Sequence, residues 1–325
     1  MSCACGRIDV HAHFLPEVYA RALDKAGMKT VDGGMPVPTW SEQAALEVMD
    51  RQGIATAMIS LSSPAAHFLP VDERPALARA VNEAGAALMT AHPGRFGFFA
   101  TLPLPDVEAA LAEMAFAFDV LGVDGVILES NIDGEYLGSA RFAPVFDALD
   151  RRGAVVFLHP TSPACFGAVG LGRPAPLLEF PLDTTRTVTD LIYNRVLQTR
   201  PGITMIAPHG GGALAQLAAR IAAFANVSFI TPRPVSEQEA FEALQRLYYD
   251  VALSAHPAAF GALRSLAPLD HILFGSDWPF TPEPGVARNI HQLTQANGLS
   301  EADLAAIARE NAERVFPRLA ALRGA

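Results

Sequence analysis

The stretch Ile8-Asp9-Val10-His11-Ala12-His13-Phe14 ends the first short apolar run of the chain in a pair of histidines. His11 and His13 are two residues apart, so on an extended strand both side chains point to the same side. Imidazole nitrogens are common ligands of zinc and related divalent metals. The stretch therefore predicts a first strand whose end carries two candidate metal ligands.

Seven more short apolar runs, most of them rich in Val, Ile or Phe, recur along the chain. Runs of this length are typical of strands that are buried on both faces, as in a parallel sheet. The eight predicted strands are Arg7–Val10, Thr56–Leu61, Phe96–Leu102, Val123–Leu128, Ala154–Leu158, Ile203–Ala207, Leu247–Val251 and His271–Phe274.

Segments with helical periodicity follow most of these runs. Strands that alternate with helices in this way predict an α/β protein, a (β/α)₈ TIM barrel. The alternative is a doubly wound open sheet, which usually carries a glycine-rich loop after its first strand. Here His-Ala-His stands at that place, and neither a GxGxxG nor a P-loop pattern occurs. The predicted helices are Ser41–Gln52, Pro75–His92, Val107–Leu121, Ala140–Arg152, Thr187–Thr199, Gly212–Phe224, Ala258–Leu266, Glu283–Asn297 and Ser300–Val315.

We expect residues 1–325 to form a single domain, with a C-terminal helix at about residues 300–318 packed on the barrel. Ser300 and Asp303 mark the start of that helix as an N-cap and an acidic first turn. Two connections are unusually long, Phe14–Thr39 after strand 1 and Pro160–Arg186 after strand 5. Because both follow strands, both are expected on the catalytic face of the barrel, where long loops often form lids or pocket walls.

The composition excludes several classes of protein. Half of the 325 residues are hydrophobic and 18% are charged, which suits a packed core and not a disordered chain. The net charge of −10 argues against nucleic acid or an anionic membrane as a partner. Cys3, Cys5 and Cys165 form no disulfide pattern, and neither a signal peptide nor a run of about 18 apolar residues occurs. We therefore expect a soluble cytoplasmic protein with free thiols.

Three further polar residues stand at the ends of predicted strands: His159 after strand 5, His209 after strand 6 and Asp277 after strand 8. In a barrel the carboxyl ends of the strands converge on one mouth, which brings these side chains towards His11 and His13. Three histidines with one aspartate suit Zn²⁺ and leave a position open for water or substrate. Each residue alone is compatible with an ordinary polar position, but together they predict a catalytic metal site.

The chain resembles the amidohydrolase superfamily in four motifs: the HxH strand quoted above, His209-Gly210-Gly211-Gly212, Phe274-Gly275-Ser276-Asp277-Trp278-Pro279 and Asn311-Ala312-Glu313-Arg314-Val315-Phe316-Pro317. The ordered set is similar to the branch of metal-dependent decarboxylases that includes aminocarboxymuconate semialdehyde decarboxylase and the aromatic acid decarboxylases. The resemblance covers residues 7 to about 318.

This resemblance implies a metal site with assigned ligands. His11, His13, His159 and Asp277 would bind the metal, usually Zn²⁺ with Mn²⁺ as the alternative, and His209 would contact the metal-bound water. His209 and Asp277 are the expected catalytic residues, because a histidine titrates near neutrality and can pass a proton, and Asp277 can assist that transfer. No organic cofactor is expected.

The lysine content predicts one metal ion per chain. Binuclear amidohydrolases bridge two metals with a carbamylated lysine at the end of strand 4, but the only lysines here are Lys25 and Lys29. Strand 4 is followed by Glu129, which is the alternative bridging residue. A lysine-bridged pair is therefore excluded, and a mononuclear site is expected.

The implied activity is the non-oxidative decarboxylation of a small aromatic or unsaturated carboxylic acid by a carbon-carbon lyase. The semialdehyde decarboxylase carries a substrate-binding arginine before strand 2, and the matching stretch Ala44–Met49 has none. With His-x-His in strand 1, the combination is closer to 6-methylsalicylate decarboxylase-like members. A metal-dependent hydrolase or hydratase of the lactonase type is the alternative on the same scaffold, and a non-catalytic metal-binding protein is the third class.

Three residues are candidates for contact with the substrate. Arg186, expected at the start of the helix after strand 5, could bind the substrate carboxylate through two hydrogen bonds; the alternative is an ion pair with Asp183 or Asp190. Trp40 and Phe280 flank the motifs and could stack on a flat ring, the alternative being ordinary core packing. The expected partner is thus a small carboxylic acid, and the resemblance adds the expectation of a homodimer.

Overall fold

Eight parallel strands form one sheet in which each strand pairs with the next one along the chain. The computed structural model describes residues 6–230, 234–295 and 298–321, so Cys3, Cys5 and Asn297 lie outside it. The strands are β1 (Arg7–His13), β2 (Ile54–Ser60), β3 (Phe96–Thr101), β4 (Gly125–Glu129), β5 (Val155–His159), β6 (Thr204–Ala207), β7 (Tyr248–Asp250) and β8 (Ile272–Leu273).

Main-chain hydrogen bonds between β1 and the segment after β8 close the sheet. The Val10 N–H donates to the Phe274 carbonyl at 2.9 Å, and the Asp277 N–H donates to the His11 carbonyl at 2.7 Å. The fold is therefore the predicted (β/α)₈ barrel and not the open sheet. The second of these bonds also fixes Asp277 beside the first strand.

Helices surround the barrel, and short turns join them. The α-helices are Glu17–Lys25, Glu42–Gln52, Arg74–Ala91, Val107–Phe116, Ala143–Arg152, Phe166–Val169, Glu179–Tyr193, Val196–Thr199, Leu214–Phe224, Glu237–Arg246, Pro257–Leu266, Glu283–Gln295, Glu301–Ala305, Asn311–Val315 and Pro317–Ala321. Two π-helical turns, Ala117–Leu121 and Ala306–Glu310, extend helices, and a small hairpin pairs Asn131–Ile132 with Glu135–Tyr136.

The helix predicted at Thr187–Thr199 is wrong in both its start and its continuity. The helix begins at Glu179 and ends at Tyr193, and a separate turn follows at Val196–Thr199. Pro181 lies in the first turn, where proline is tolerated because the N–H groups there have no partner within the helix. Arg186 consequently lies inside a helix and not at its start.

Two helices of nine and ten residues are absent from the sequence prediction, as is the short helix Phe166–Val169. Glu17–Lys25 lies within the long connection after β1, and Glu237–Arg246 lies between β6 and β7. The second begins with a capping box, in which Ser236 and Glu239 each accept a hydrogen bond from the other's main-chain N–H. In addition, β1 extends to His13 and β5 to His159, so three of the candidate ligands belong to strands.

An apolar core fills the inside of the barrel, and the C-terminal segment covers the end opposite to the histidines. The Phe316 ring lies 5.8 Å from the Phe99 ring inside the barrel. Asn311 anchors this segment through hydrogen bonds from its amide to the carbonyls of Leu269 and Ile272. The buried residues of this core are Ile8, Val10, Met58, Phe99, Ile127, Val155, Phe157, Ile206, Leu273, Ala312, Phe316 and Leu319.

Two further observations concern the chain as a whole. Cys165 is an exposed free thiol. Within residues 6–230, 234–295 and 298–321, no helix combines the length and the apolar character that crossing a membrane requires. The extent of the domain, residues 1–325, stays a prediction.

Candidate metal centre

The structure brings the five predicted site residues together at the mouth of the barrel. The Nε2 atoms of His11 and His13 lie 3.1 Å apart, and Asp277 Oδ1 lies 3.4 Å from the first and 3.3 Å from the second. His159 and His209 complete the cluster: one donor atom from each of His11, His13 and His159 falls within 4.8 Å of the others, as do those of His11, His209 and Asp277. All five residues are buried or nearly so.

Each of the three strand histidines has a different neighbour on its Nδ1 side. His11 Nδ1 lies 2.8 Å from the buried carboxylate of Asp250. His13 Nδ1 lies 3.4 Å from the Ser60 carbonyl oxygen. His159 Nδ1 lies 3.6 Å from Glu129 Oε2. The Asp250 carboxylate and the Ser60 carbonyl are acceptors, so they favour a proton on Nδ1 of His11 and His13 and leave Nε2 of each facing the centre.

The spacing of the side-chain atoms at the centre shows that the residues fit a metal ion. Two imidazole nitrogens and a carboxylate oxygen converge to within 3.1–3.4 Å of one another. Ligands about 2.1 Å from a tetrahedral metal lie about 3.4 Å from one another. The observed separations match that spacing, and nitrogen with oxygen ligands suits zinc or manganese.

Asp250 is a site residue that the sequence prediction missed. Its Oδ2 faces His11, and its Oδ1 accepts hydrogen bonds from the main-chain N–H groups of His209 at 3.0 Å and Ala252 at 2.9 Å. One carboxylate therefore holds a metal-site histidine and the backbone of the candidate proton donor together. A signal was present, because Asp250 is the last residue of β7 and follows the same strand-end rule as the other residues.

Charge balance in the cluster depends on the carboxylates. Burial alone would lower the pKa of His11, but the charge and hydrogen bond of Asp250, with Asp277 and Asp9, raise it to about 9. Burial alone would raise the pKa of Asp277, but His11, His13 and His209 hold it well below its usual range. In the metal-free protein His11 is thus protonated at neutral pH, and its second proton lies on the side where a metal would bind.

Metal affinity is therefore expected to rise with pH. Below pH 9 the metal must displace a proton from His11, which makes the apparent affinity rise by about tenfold per pH unit for that one proton. Above pH 9 this dependence ends, because His11 is already neutral. Competition between the protein and a chelator for Zn²⁺, measured from pH 6.5 to 9.5, checks this; an affinity that stays constant below pH 9 contradicts it.

Glu129 lies behind His159. Burial, together with the charge of Asp32, raises the pKa of Glu129 well above its usual range. Burial and the neighbouring His13 and His11 lower the pKa of His159 well below its usual value. Among the described residues, neither oxygen of Glu129 has a hydrogen-bond partner. Glu129 approaches His159 on the Nδ1 side. A carboxyl group in this position behind a metal-binding histidine can orient the imidazole ring.

The His209-Gly210-Gly211-Gly212 motif forms a tight turn between β6 and the following helix. His209 and Gly210 both have left-handed backbones, with φ of 55° and 65°. Gly212 has φ 64° and ψ −116°, a conformation that only glycine adopts readily, and an added Cβ would clash with the Pro181 carbonyl oxygen. The glycines are thus required for the turn that presents His209.

Gly212→Ala is expected to destabilise the protein by about 2 kcal/mol or more, because of strain and steric overlap. The matched control is Gly261→Ala, which lies in helix Pro257–Leu266 with open space around it and should stabilise by up to about 1 kcal/mol. Urea unfolding of the two variants and the parent measures both effects. Equal stability of all three proteins contradicts the role given to the turn.

A cavity of about 140 Å³ lies beside the cluster. His159 and Asp277 form part of its wall, and both long loops cover it, as predicted. These loops meet where Gly33 faces Ala175, and a Cβ on Gly33 would lie 2.7 Å from the Ala175 Cβ. The apolar residues of the wall are Val31, Met35, Pro176, Phe180, Leu253 and Phe280.

The three predicted substrate contacts have different positions. Phe280 lines the cavity, with its ring 5.5 Å from that of His13. Trp40 packs edge-on against Phe14 and lies outside the set of residues that line the cavity. Arg186, also outside that set, faces Asp183 at 3.5 Å and Glu179 at 3.9 Å, which is the ion-pair alternative. The substrate roles of Trp40 and Arg186 stay predictions.

Sequence comparison gives the family of this barrel. The sequence profile of the family described as Amidohydrolase matches residues 8–318, which include every residue of the cluster. The chain belongs to the amidohydrolase family. The resemblance seen in the four sequence motifs is thereby confirmed.

This amidohydrolase is similar to proteins named as decarboxylases. It is 36% identical to the 6-methylsalicylic acid decarboxylase of Penicillium expansum, over 96% of this chain and 97% of that protein. A crystal structure described as amidohydrolase II is 34% identical, with a TM-score of 0.89 over 96% of this chain and all of the other. A dihydroxybenzoic acid decarboxylase from Polaromonas, described with bound manganese, shares the fold at 22% identity, with a TM-score of 0.80 over 96% and 97% of the two chains.

Proposed function

We propose that this amidohydrolase is a metal-dependent decarboxylase that releases CO₂ from a small hydroxylated aromatic acid of the 6-methylsalicylate type. The observation that carries the proposal is the 36% identity to a 6-methylsalicylic acid decarboxylase along nearly the full length of both chains. The ligand cluster beside a small, largely apolar cavity supports it, since the cavity suits a single aromatic ring.

His11, His13, His159 and Asp277 would hold one metal ion, because their nitrogen and oxygen atoms converge with the spacing of metal ligands. We assign zinc as the metal, with manganese as the alternative that the Polaromonas decarboxylase suggests. When bound, the metal would orient the substrate's oxygen atoms and withdraw negative charge from them.

The chain's own acid–base groups deliver the proton that the reaction consumes. His209 Nε2 lies 3.6 Å from Asp277 Oδ2, and Asp277 is the one of the two that lines the cavity. A proton held between these two atoms passes to the ring carbon that bears the carboxylate. The bond from that carbon to the carboxylate then breaks, its electron pair returns to the ring, and CO₂ leaves.

The cavity wall would hold the aromatic ring. Phe280 lies beside His13 in the segment after β8, and the Phe180 ring, in the first turn of helix Glu179–Tyr193, lies 6.3 Å from His159, so aromatic side chains border the cluster from two sides. They exclude water and restrict a flat substrate to one plane. Asp250 keeps His11 in the tautomer that binds a metal.

A panel of acids tests the proposal. Protein reconstituted with Zn²⁺, and in parallel with Mn²⁺, is incubated with 6-methylsalicylate, other hydroxybenzoates and muconate-type acids, and CO₂ is measured. We expect CO₂ from 6-methylsalicylate and none after chelation of the metal. Absence of CO₂ from every acid, with hydrolysis of a lactone panel instead, would favour the hydrolase alternative.

A further inference from the structure

The wall of the cavity carries two carboxylates, and its described lining has no arginine or lysine. Besides the cluster residue Asp277, its one carboxylate is Asp32, and none of the described residues that line it is Arg or Lys. The rest of the wall is mostly apolar. A ligand in this cavity therefore finds one place for an anionic group, next to the histidines. Elsewhere the surface is apolar, negatively charged at Asp32, or neutral and hydroxyl-bearing at Ser62, Ser63 and Thr281.

Asp32 is held firmly at that wall. Its Oδ2 accepts hydrogen bonds from Ser63 Oγ at 2.8 Å, Thr161 Oγ1 at 2.7 Å and the Ser162 N–H at 2.7 Å, and its Oδ1 accepts one from the Gly33 N–H at 2.7 Å. These donors belong to the loops after β1, β2 and β5. Because four donors hold this carboxylate, it cannot rotate away from the cavity without breaking their hydrogen bonds.

We infer that Asp32 makes the site selective for monocarboxylic acids with an apolar ring substituent and excludes dicarboxylic acids. This rests on the proposed function, because it assumes that the reacting carboxylate lies at the metal cluster. A second carboxylate on the ring would then face Asp32, the apolar wall or a neutral hydroxyl group, with no Arg or Lys side chain of the lining to pair with it. Like-charge contact and loss of hydration both oppose binding there.

Arg186 does not alter this charge pattern. Its guanidinium faces Glu179 and Asp183, and Asp183 is fully buried and also accepts hydrogen bonds from Asn131 and Tyr136. These acids hold the arginine on the outer side of helix Glu179–Tyr193, where it borders a separate surface groove.

The test compares two acids that differ in one group. 3-Hydroxyphthalate carries a carboxylate where 6-methylsalicylate carries a methyl group. We measure kcat/KM for both acids, and the dissociation constants of the analogues 2-methylbenzoate and phthalate, with metal-loaded protein. In the parent protein, the monocarboxylic member of each pair should be favoured by at least about a hundredfold.

Two variants test whether the charge of the cavity wall causes this selectivity. Asp32→Asn removes the charge, and Met35→Lys adds a cation to the same cavity without touching the hydrogen bonds of Asp32; each should reduce the preference at least tenfold. The control is Asp72→Asn, an exposed acid outside the cavity, which should leave the preference unchanged. If Asp32→Asn fails to fold, Met35→Lys decides alone.

The outcomes separate the inference from the proposed function. The inference is overturned if the parent protein shows equal kcat/KM or equal dissociation constants for the two members of a pair. It is also overturned if the folded variants Asp32→Asn and Met35→Lys keep the parent's preference, even if CO₂ is released. If neither acid loses CO₂, the proposed function fails, and the two dissociation constants still decide whether the cavity excludes a second carboxylate.

Discussion

Replacement of His159 or Asp277 by alanine is expected to remove both the bound metal and the activity. In the proposed site each would contribute one of four ligand groups, and the remaining three would leave a weak, open site in which the metal is readily lost. We expect less than stoichiometric metal after dialysis and a fall in activity of about 10²–10³-fold or more. Elemental analysis of the dialysed protein and CO₂ release from 6-methylsalicylate measure the two effects.

The matched control for this prediction is His291→Ala, an exposed histidine on helix Glu283–Gln295. It should bind one metal ion per chain and keep the parent activity. Circular dichroism verifies that all three variants fold. Full metal content and full activity in either His159→Ala or Asp277→Ala would show that the ligand assignment is wrong.

Asp250→Asn is expected to weaken metal binding by about 10–100-fold and to lower activity, although Asp250 itself is not assigned as a ligand. The amide oxygen of asparagine can still accept the main-chain hydrogen bonds of His209 and Ala252, but its NH₂ group would then face His11 Nδ1. That contact favours the tautomer with a proton on Nε2, which blocks the atom that would bind the metal. Competition with a chelator gives the affinity.

Asp270→Asn, at an exposed position just before β8, is the control with the same change of charge. A role of Asp250 through His11 predicts that excess metal restores much of the activity of Asp250→Asn. It also predicts a weaker pH dependence of metal affinity, because the charge that raises the pKa of His11 is gone. Unchanged affinity in Asp250→Asn contradicts that role.

The ligand cluster could be predicted because its geometry follows from strand periodicity. His11 and His13 share one side of a strand by spacing alone, and closure of a parallel barrel brings His159 and Asp277 to the same mouth. The family profile confirms the resemblance on which their assignment rested. Local pattern was sufficient here, since each residue is positioned by its own strand.

Local pattern was insufficient for Arg186 and Asp250. The connection after strand 5 was expected to run to Arg186, but the helix begins at Glu179, because a proline in the first turn, Pro181, is compatible with a helix. Arg186 therefore lies inside the helix and not at its start. Asp250 was counted within an apolar run, and only the closed barrel shows that it faces His11, 239 residues away in the chain.

The hydrogen bonds of Asp32 show why the residues of the cavity wall could not be predicted from the sequence. Its donors come from Ser63 and from Thr161 and Ser162, which are 31 and about 130 residues away in the chain. No periodicity links these three loops. These loops meet because the long connections pack over the barrel mouth. Side-chain contacts determine that packing, and the spacing of residues in the sequence does not.

The most direct test of the central claim is decarboxylation in D₂O. Zinc-loaded protein is incubated with 6-methylsalicylate in D₂O. The product is then transferred to ordinary water, which exchanges the deuterium of its hydroxyl group, and is analysed by mass spectrometry. Transfer of a solvent-derived proton from the chain to the ring carbon predicts 3-methylphenol with one deuterium at the carbon that lost the carboxylate, and one CO₂ per product molecule. No CO₂ from metal-loaded protein, or a product without ring deuterium, would contradict the account.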